Sequence, residues 1–132
     1  MTREETTSSS PGGLRIVIID DNEDVAESLK ELLEDTGHRV WSAHTGLDGV
    51  SLVAEVHPDV VLCDLGLPHI GGVEICRRIR ALPIAVRPLM VAVTGWGREE
   101  DHRQTREAGF DHHLVKPLGA DSLDRVLRTV TV

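Results

Sequence analysis

Short apolar runs alternate with longer amphipathic segments from residue 14 to near the end of the chain. The apolar runs predict five strands, at residues 14–19, 39–43, 59–64, 88–95 and 112–117. The inner runs are apolar at successive positions, so both faces of each strand are expected to be buried. Strands of this kind are typical of a parallel sheet that is covered by helices on both sides.

Five longer segments follow the strands, and four of them carry apolar residues at helical spacing. They predict helices at residues 24–36, 47–56, 73–82, 98–107 and 121–129. In the first of these, Val25, Leu29, Leu32 and Leu33 share one face, and Gly37 follows as a stop signal. The segment 98–107 contains no aliphatic residue. A helix that is polar on every face is either a solvated, weakly held helix or an interaction surface, and both interpretations remain open.

Composition narrows the class of protein. Residues 1–13 are rich in Ser, Thr, Gly and Pro and predict a flexible leader or linker, which leaves residues 14–132 as one domain. The net charge of −8 argues against nucleic acid as the direct partner. No apolar run approaches the ~20 residues that span a bilayer, so no membrane insertion of this chain is expected. Cys63 and Cys76 sit in apolar patterns and predict buried free thiols in a reducing, cytoplasmic compartment.

Polar residues that could take part in a reaction lie at the ends of four of the predicted strands. Asp20 and Asp21 follow the first strand, Asp64 ends the third, Thr94 ends the fourth and Lys116 ends the fifth. Each position alone has an ordinary structural explanation, such as a helix N-cap or a solvated lysine. In an open α/β sheet, however, ligands bind at the carboxyl ends of the strands. Because these polar residues are expected to lie at the same edge of the sheet, the sequence favours a functional site there.

These residue types fit a site for a cation and a phosphoryl group. Clustered carboxylates suit Mg²⁺, which takes one or two carboxylates together with waters and phosphate oxygens. A lysine supplies a point charge for phosphate, and a carboxylate can act as a nucleophile to form an aspartyl phosphate. Unit charges ~4 Å apart at an effective dielectric of ~20 interact by roughly 4 kcal/mol. Phosphorylation beside two other carboxylates therefore requires a compensating cation.

Four motifs, in this order and strand context, resemble those of a response-regulator receiver domain. They are "VIIDDNEDV", "VVLCDLGLPHIGG", "VAVTGWG" and "FDHHLVKP". The resemblance implies a flavodoxin-like, doubly wound (βα)5 fold with a five-stranded parallel sheet in the order 2-1-3-4-5, and it identifies residues 14–132 as the receiver domain. It also implies that an aspartate accepts a phosphoryl group from a histidine kinase or a histidine phosphotransfer protein.

The resemblance assigns a role to each polar residue at the strand ends. Asp64 is the expected phosphoacceptor, and Lys116 and Thr94 are expected to contact the phosphoryl group. Asp21 and Asp64 are expected to ligate Mg²⁺ with the carbonyl of Gly66, while Asp20 acts mainly through a metal-bound water. Pro68 matches the turn after the acceptor, and the bond between Lys116 and Pro117 is expected to be cis.

The chain departs from the family pattern at its switch position. His113 stands where the family usually has an aromatic residue, and it is interpreted either as a pH-sensitive switch or as a plain surface histidine. Trp96 lies two residues after Thr94 and is expected to shield the phosphoryl group or to contact a partner.

The expected function is therefore a phosphorelay receiver that switches a protein–protein interaction and has no enzymatic activity beyond its own phosphotransfer and dephosphorylation. "TGWGREED" and "FDHHLVKP" resemble the receivers at the C-terminus of hybrid histidine kinases, although a free-standing regulator fits nearly as well. The alternative is a pseudo-receiver that acts as a constitutive interaction module. A flavodoxin-like ligand binder is disfavoured because aromatic residues make up only 2% of the chain.

Overall fold

The computed structural model of the chain describes residues 13–67, 69–95, 99–116 and 118–130, without the side chains of 99–102 and 104. The predictions for Pro68, Trp96 and Pro117 lie outside these residues, as does the predicted leader except for Gly13.

Strands and helices alternate throughout the described chain. Their bounds are β1 (Arg15–Ile19), α1 (Glu23–Asp35), β2 (Arg39–Ala43), α2 (Gly46–Val56), β3 (Val60–Asp64), α3 (Gly72–Arg80), β4 (Leu89–Thr94), α4 (Glu99–Ala108), β5 (His112–Val115) and α5 (Ala120–Leu127). Every predicted element is present, and the observed ends differ from the predicted ones by at most two residues. The glycines at 46 and 72 begin helices, where the sequence pattern had placed them just outside.

The five strands form one parallel sheet in the order β2-β1-β3-β4-β5. This order confirms the predicted flavodoxin-like fold class. The chain moves outward from β1 to the β2 edge and then returns across β1 to β3. Because the direction reverses between β1 and β3, the carboxyl ends of these two strands form the switch point at which open α/β sheets bind ligands.

Two apolar clusters cover the two faces of the sheet. Val17 and Ile19 point into one cluster and Ile16 and Ile18 into the other, because successive side chains of a strand alternate between faces. All five residues of β3 are buried, as expected for the central strand of a sheet with helices on both sides. Both cysteines are free and buried, as predicted, and burial raises the pKa of the Cys63 thiol.

Local signals fix where the first two helices begin. The Asn22 side chain accepts the Val25 amide at 3.1 Å and caps α1, and Thr45 accepts the Asp48 amide at 3.1 Å and caps α2. A Cβ atom at Gly49 would lie 2.5 Å from Cδ1 of Ile19, so glycine allows α2 to pack directly onto β1. These contacts hold the loops after β1 and β2 at one edge of the sheet.

Candidate functional site

The carboxyl ends of β1, β3 and β4 bring three polar residues together below the surface. β1 pairs with β3 through Ile19 and Cys63, so the residues that follow them, Asp20 and Asp64, are neighbours. Asp20 and Thr94 are 4% exposed and Asp64 is 9% exposed, although all three are polar. Buried polar groups require partners, which makes this edge chemically distinct from the rest of the sheet.

Three carboxylates converge at this edge. One oxygen from each of Asp20, Asp21 and Asp64 lies within 4.8 Å of the others. Asn22 donates its amide N–H to Oδ1 of Asp20, and Gly66 donates its amide N–H to Oδ1 of Asp64, both at 2.9 Å. The structure therefore brings together the predicted metal-site carboxylates and orients two of them through backbone donors.

Lys116 reaches the same cluster from β5, two strands away from β3. Its Nζ atom lies 3.4 Å from Oδ2 of Asp20 and 3.4 Å from Oδ2 of Asp64. Its amide N–H donates to the carbonyl of Thr94 at 2.7 Å, which fixes the backbone after β5 against the end of β4. The predicted cation thus stands between two of the predicted carboxylates.

The crowding of charged groups shifts the pKa values of Asp20 and Lys116. Burial raises the pKa of Asp20, and the nearby charge of Asp64 raises it further, while the Asn22 amide and Lys116 act in the opposite direction. Burial alone would lower the pKa of Lys116, but the carboxylates of Asp64 and Asp20 raise it. The cluster therefore carries more negative charge than one lysine balances, as expected for a cation site.

An apolar groove of about 540 Å³ adjoins the cluster. It runs along α1 past Val25, Leu29 and Leu32 and has Asp64 and Lys116 among its lining residues. Val25 is 38% exposed, which is unusual for a residue on the apolar face of a helix. The groove therefore leaves apolar surface exposed beside the acidic cluster on the α1 side.

Two histidines, one after β2 and one within β5, have structural environments that the sequence did not indicate. His44 places Nδ1 3.1 Å from the carbonyl oxygen of Asp20, and no role was predicted for it. His113 is half-buried, and its Nδ1 lies 3.2 Å from Oγ1 of the buried Thr105 in α4. The interpretation of His113 as a plain surface histidine is therefore wrong, because its ring packs between β5 and α4.

Comparison with known proteins agrees with the fold. The family model for the response regulator receiver domain matches residues 16–128. The chain is 36% identical over 118 residues to the transcriptional regulatory protein AfsQ1 of Streptomyces coelicolor, a match that covers 87% of this chain and 50% of that protein. It is 33% identical over 123 residues to the virulence sensor protein BvgS of Bordetella pertussis, covering 89% of this chain and 10% of that protein.

Solved structures give the same result. A CheY-like receiver domain from Methylobacillus flagellatus superposes with a TM-score of 0.80 at 30% identity, covering 89% of this chain and 98% of that one. The receiver domain of a Pseudomonas aeruginosa sensor histidine kinase, solved with magnesium in its active-site cleft, superposes with a TM-score of 0.81 at 27% identity, covering 90% of this chain and 98% of that one. The chain belongs to the response regulator receiver domain family and is thus a receiver domain of two-component signalling systems.

The chain covers only part of the regulatory and sensor relatives. The chain spans about half the length of the regulatory relatives and a tenth of the sensor relative, so the activities of those whole proteins do not transfer directly. An uncharacterized protein of Leptolyngbya boryana matches over 86% of both chains at 31% identity. Among the described residues, no helix is both long enough and apolar enough to cross a bilayer.

Proposed function

We propose that the chain is a phosphorelay receiver that takes a phosphoryl group from a phosphohistidine onto Asp64 with the help of Mg²⁺, and that this changes its affinity for a protein partner. The observation that carries the proposal is the position of Lys116. Its Nζ atom lies 3.4 Å from both Asp20 and Asp64, at the edge of a three-carboxylate cluster. A fixed cation beside clustered acids is the arrangement that suits a doubly charged metal and a transferred phosphoryl group.

The donor set fits Mg²⁺. Carboxylates and carbonyl oxygens are the hard ligands that this ion takes, and the three carboxylates converge to within 4.8 Å. Asp21 and Asp64 would hold the ion directly with the carbonyl of Gly66, and Asp20 would hold it through a water. When bound, the ion supplies positive charge next to the phosphoryl oxygens.

The remaining residues act on the phosphoryl group. A carboxylate oxygen of Asp64 forms a bond to phosphorus while the bond from phosphorus to the donor imidazole breaks, and the electron pair of that bond stays with the imidazole. Lys116 stabilises the charge on the transferred group, and the Thr94 hydroxyl donates a hydrogen bond to it. Gly66 holds the carboxylate of Asp64 in place through its amide, which donates at 2.9 Å.

The proposed donor is the phosphohistidine of a histidine kinase or of a histidine phosphotransfer protein. The matched relatives include both regulators and a sensor protein, so each is compatible with a receiver of this sequence. The resemblance of "TGWGREED" and "FDHHLVKP" to receivers of hybrid histidine kinases supports a place in such a protein. A cytoplasmic location is part of the proposal, because both cysteines are free.

Intact mass spectrometry after incubation with a small-molecule phosphodonor tests the proposal. We expect one phosphoryl adduct on the wild-type chain in the presence of Mg²⁺ and none after Mg²⁺ is removed. Asp64→Asn should abolish the adduct, because an amide is not a competent nucleophile. Asp35→Asn, at an exposed position at the end of α1, is the matched control and should leave the adduct unchanged.

Two results would contradict the proposal, and one of them would support the alternative function. An adduct that persists in Asp64→Asn would place the chemistry on another residue and contradict the assignment. A wild-type chain that neither forms an adduct nor binds Mg²⁺ would support the pseudo-receiver, in which the same fold serves as a constitutive interaction module.

A further inference from the structure

His44 lies immediately after β2, at the same edge of the sheet as the acidic cluster. Its ring is half-buried, and Nδ1 lies 3.1 Å from the carbonyl oxygen of Asp20. The two residues are 24 positions apart in the chain and meet because β1 and β2 are neighbours. The ring therefore contacts the backbone of the proposed metal site without entering the cluster.

The direction of this hydrogen bond follows from chemistry. A carbonyl oxygen can only accept, so Nδ1 must carry the hydrogen and donate it. The same hydrogen is present on Nδ1 in the Nδ1–H tautomer and in the doubly protonated ring. The contact is therefore a fixed donor to Asp20 and does not depend on the charge of His44.

Asp20 is held at three points. Its amide donates to the carbonyl of Ala43 at 3.0 Å, its carboxylate accepts the Asn22 amide at 2.9 Å, and its carbonyl accepts from His44. The pairing between β1 and β2 ends at Ile19 and Ala43, so the His44 side chain extends the contact between these two chain segments beyond the last strand pair.

The carbonyl of Asp20 belongs to the peptide group that joins Asp20 to Asp21. Because a peptide group is planar, fixing this carbonyl also fixes the plane from which Asp21 departs. Asp21 is exposed, in contrast to the buried Asp20, so the orientation of its backbone matters for where its carboxylate lies.

We propose that His44 is a positioning residue of the metal site: its Nδ1–H holds the peptide between Asp20 and Asp21 so that both carboxylates face the cation. This inference rests on the proposed function, because it assigns His44 to the Mg²⁺ site. Partners that orient metal ligands from outside the first coordination layer typically contribute about 10- to 100-fold in metal affinity.

Isothermal titration of the full chain with Mg²⁺ tests the inference with two variants. His44→Phe keeps a flat ring but removes the N–H, and we expect Mg²⁺ affinity to fall about tenfold. His44→Asn places an amide nitrogen where Nδ1 lies, and it should restore affinity to near the wild-type value. His44→Gln carries the same amide one bond further out and is the matched control, which should not restore it.

A second measurement on the metal-free chain separates positioning from simple stability. The amide nitrogen of Asp21 is bonded to the carbonyl that His44 contacts, so its ¹⁵N chemical shift reports the hydrogen bond directly. We expect this shift to change in His44→Phe and to return toward the wild-type value in His44→Asn, while urea unfolding at zero Mg²⁺ stays similar in the two variants.

The outcomes distinguish the inference from the function on which it rests. If the wild type binds Mg²⁺ and His44→Phe binds it equally well, the positioning role is wrong and the proposed function stands. Equal losses in Phe, Asn and Gln would show that an N–H at the position of Nδ1 is not what maintains the affinity, and this would also overturn the inference. If the wild type binds no Mg²⁺, the proposed function fails, and the role of His44 fails with it.

Discussion

Lys116 shows how one residue can serve two opposed requirements. Its charge lies 3.4 Å from Asp20 and from Asp64, so it offsets the mutual repulsion of two buried carboxylates when no other cation is present. The same charge competes with a metal ion for those carboxylates. The proposed function therefore predicts that loss of this lysine affects metal binding and phosphoryl transfer in opposite directions.

Lys116→Met keeps a side chain of similar length and removes the charge. We expect Mg²⁺ affinity to rise several-fold, because the acidic cluster loses its internal cation. We also expect the phosphoryl adduct to fall at least tenfold, because nothing replaces the charge that faces the transferred group. Calorimetry with Mg²⁺ and intact mass after exposure to a phosphodonor measure the two effects separately.

Lys30→Met is the control for this pair of measurements, since it removes a lysine from α1 and should leave both results unchanged. A fall in Mg²⁺ affinity in Lys116→Met would show that the lysine supports the fold of the site, and this would contradict the competition described above.

At the scale of the elements, α4 differs from the other helices because one of its two described buried residues is polar. Its described buried residues are Thr105, which is 2% exposed, and Ala108, which is 7% exposed. The hydroxyl of Thr105 lies 3.2 Å from Nδ1 of His113 in β5. A hydrogen bond thus takes the place that aliphatic packing takes in α1 and α5, which makes α4 a candidate for local opening.

Thr105→Val replaces the hydroxyl with a methyl group of similar size. We expect a destabilisation of about 1 kcal/mol from the lost hydrogen bond. We also expect faster backbone hydrogen exchange in Glu99–Ala108 than in Glu23–Asp35, because only the first of these helices depends on this bond. Thr36→Val, at the exposed end of α1, is the matched control. Uniform acceleration across both helices would indicate global rather than local opening.

The strands and the acidic cluster at their ends could both be predicted from the sequence, and for the same physical reason. Burial on both faces makes the strands of a parallel sheet almost wholly apolar, so a charged residue such as Asp64 at a strand end is conspicuous. His44 and Thr105 could not be assigned in this way. Their contacts depend on the register of β1 against β2 and on how closely α4 approaches β5, and neither quantity is encoded in a local pattern.

At the scale of the whole molecule, His38 links the start of the sheet to the helices that cover it. It is buried, its Nδ1 accepts the amide N–H of Leu14 at 3.3 Å, and it lies beside Leu123 and Asp124 of α5. Burial lowers the pKa of His38, although the charge of Asp124 raises it in part. The native state therefore binds a proton at His38 less readily than the unfolded chain does.

This difference predicts how stability depends on pH. The contribution of His38 is fully present above its ordinary pKa of 6.5, and it is lost as the pH falls from there through the lowered native value. Protonation of Nδ1 also leaves the Leu14 amide without its acceptor, at a cost of about 1 to 3 kcal/mol. We expect the free energy of unfolding in urea, without Mg²⁺, to be lower at pH 5.5 than at pH 7.5.

His38→Asn isolates this contribution, because the side-chain oxygen of asparagine can accept the Leu14 amide near the position of Nδ1 and does not titrate. The variant should lose less stability than the wild type between the two pH values. His57→Asn is the control: His57 is exposed, and its φ of 54° is one that asparagine tolerates. If His57→Asn flattened the pH dependence and His38→Asn did not, the buried histidine would not be the group whose protonation weakens the fold.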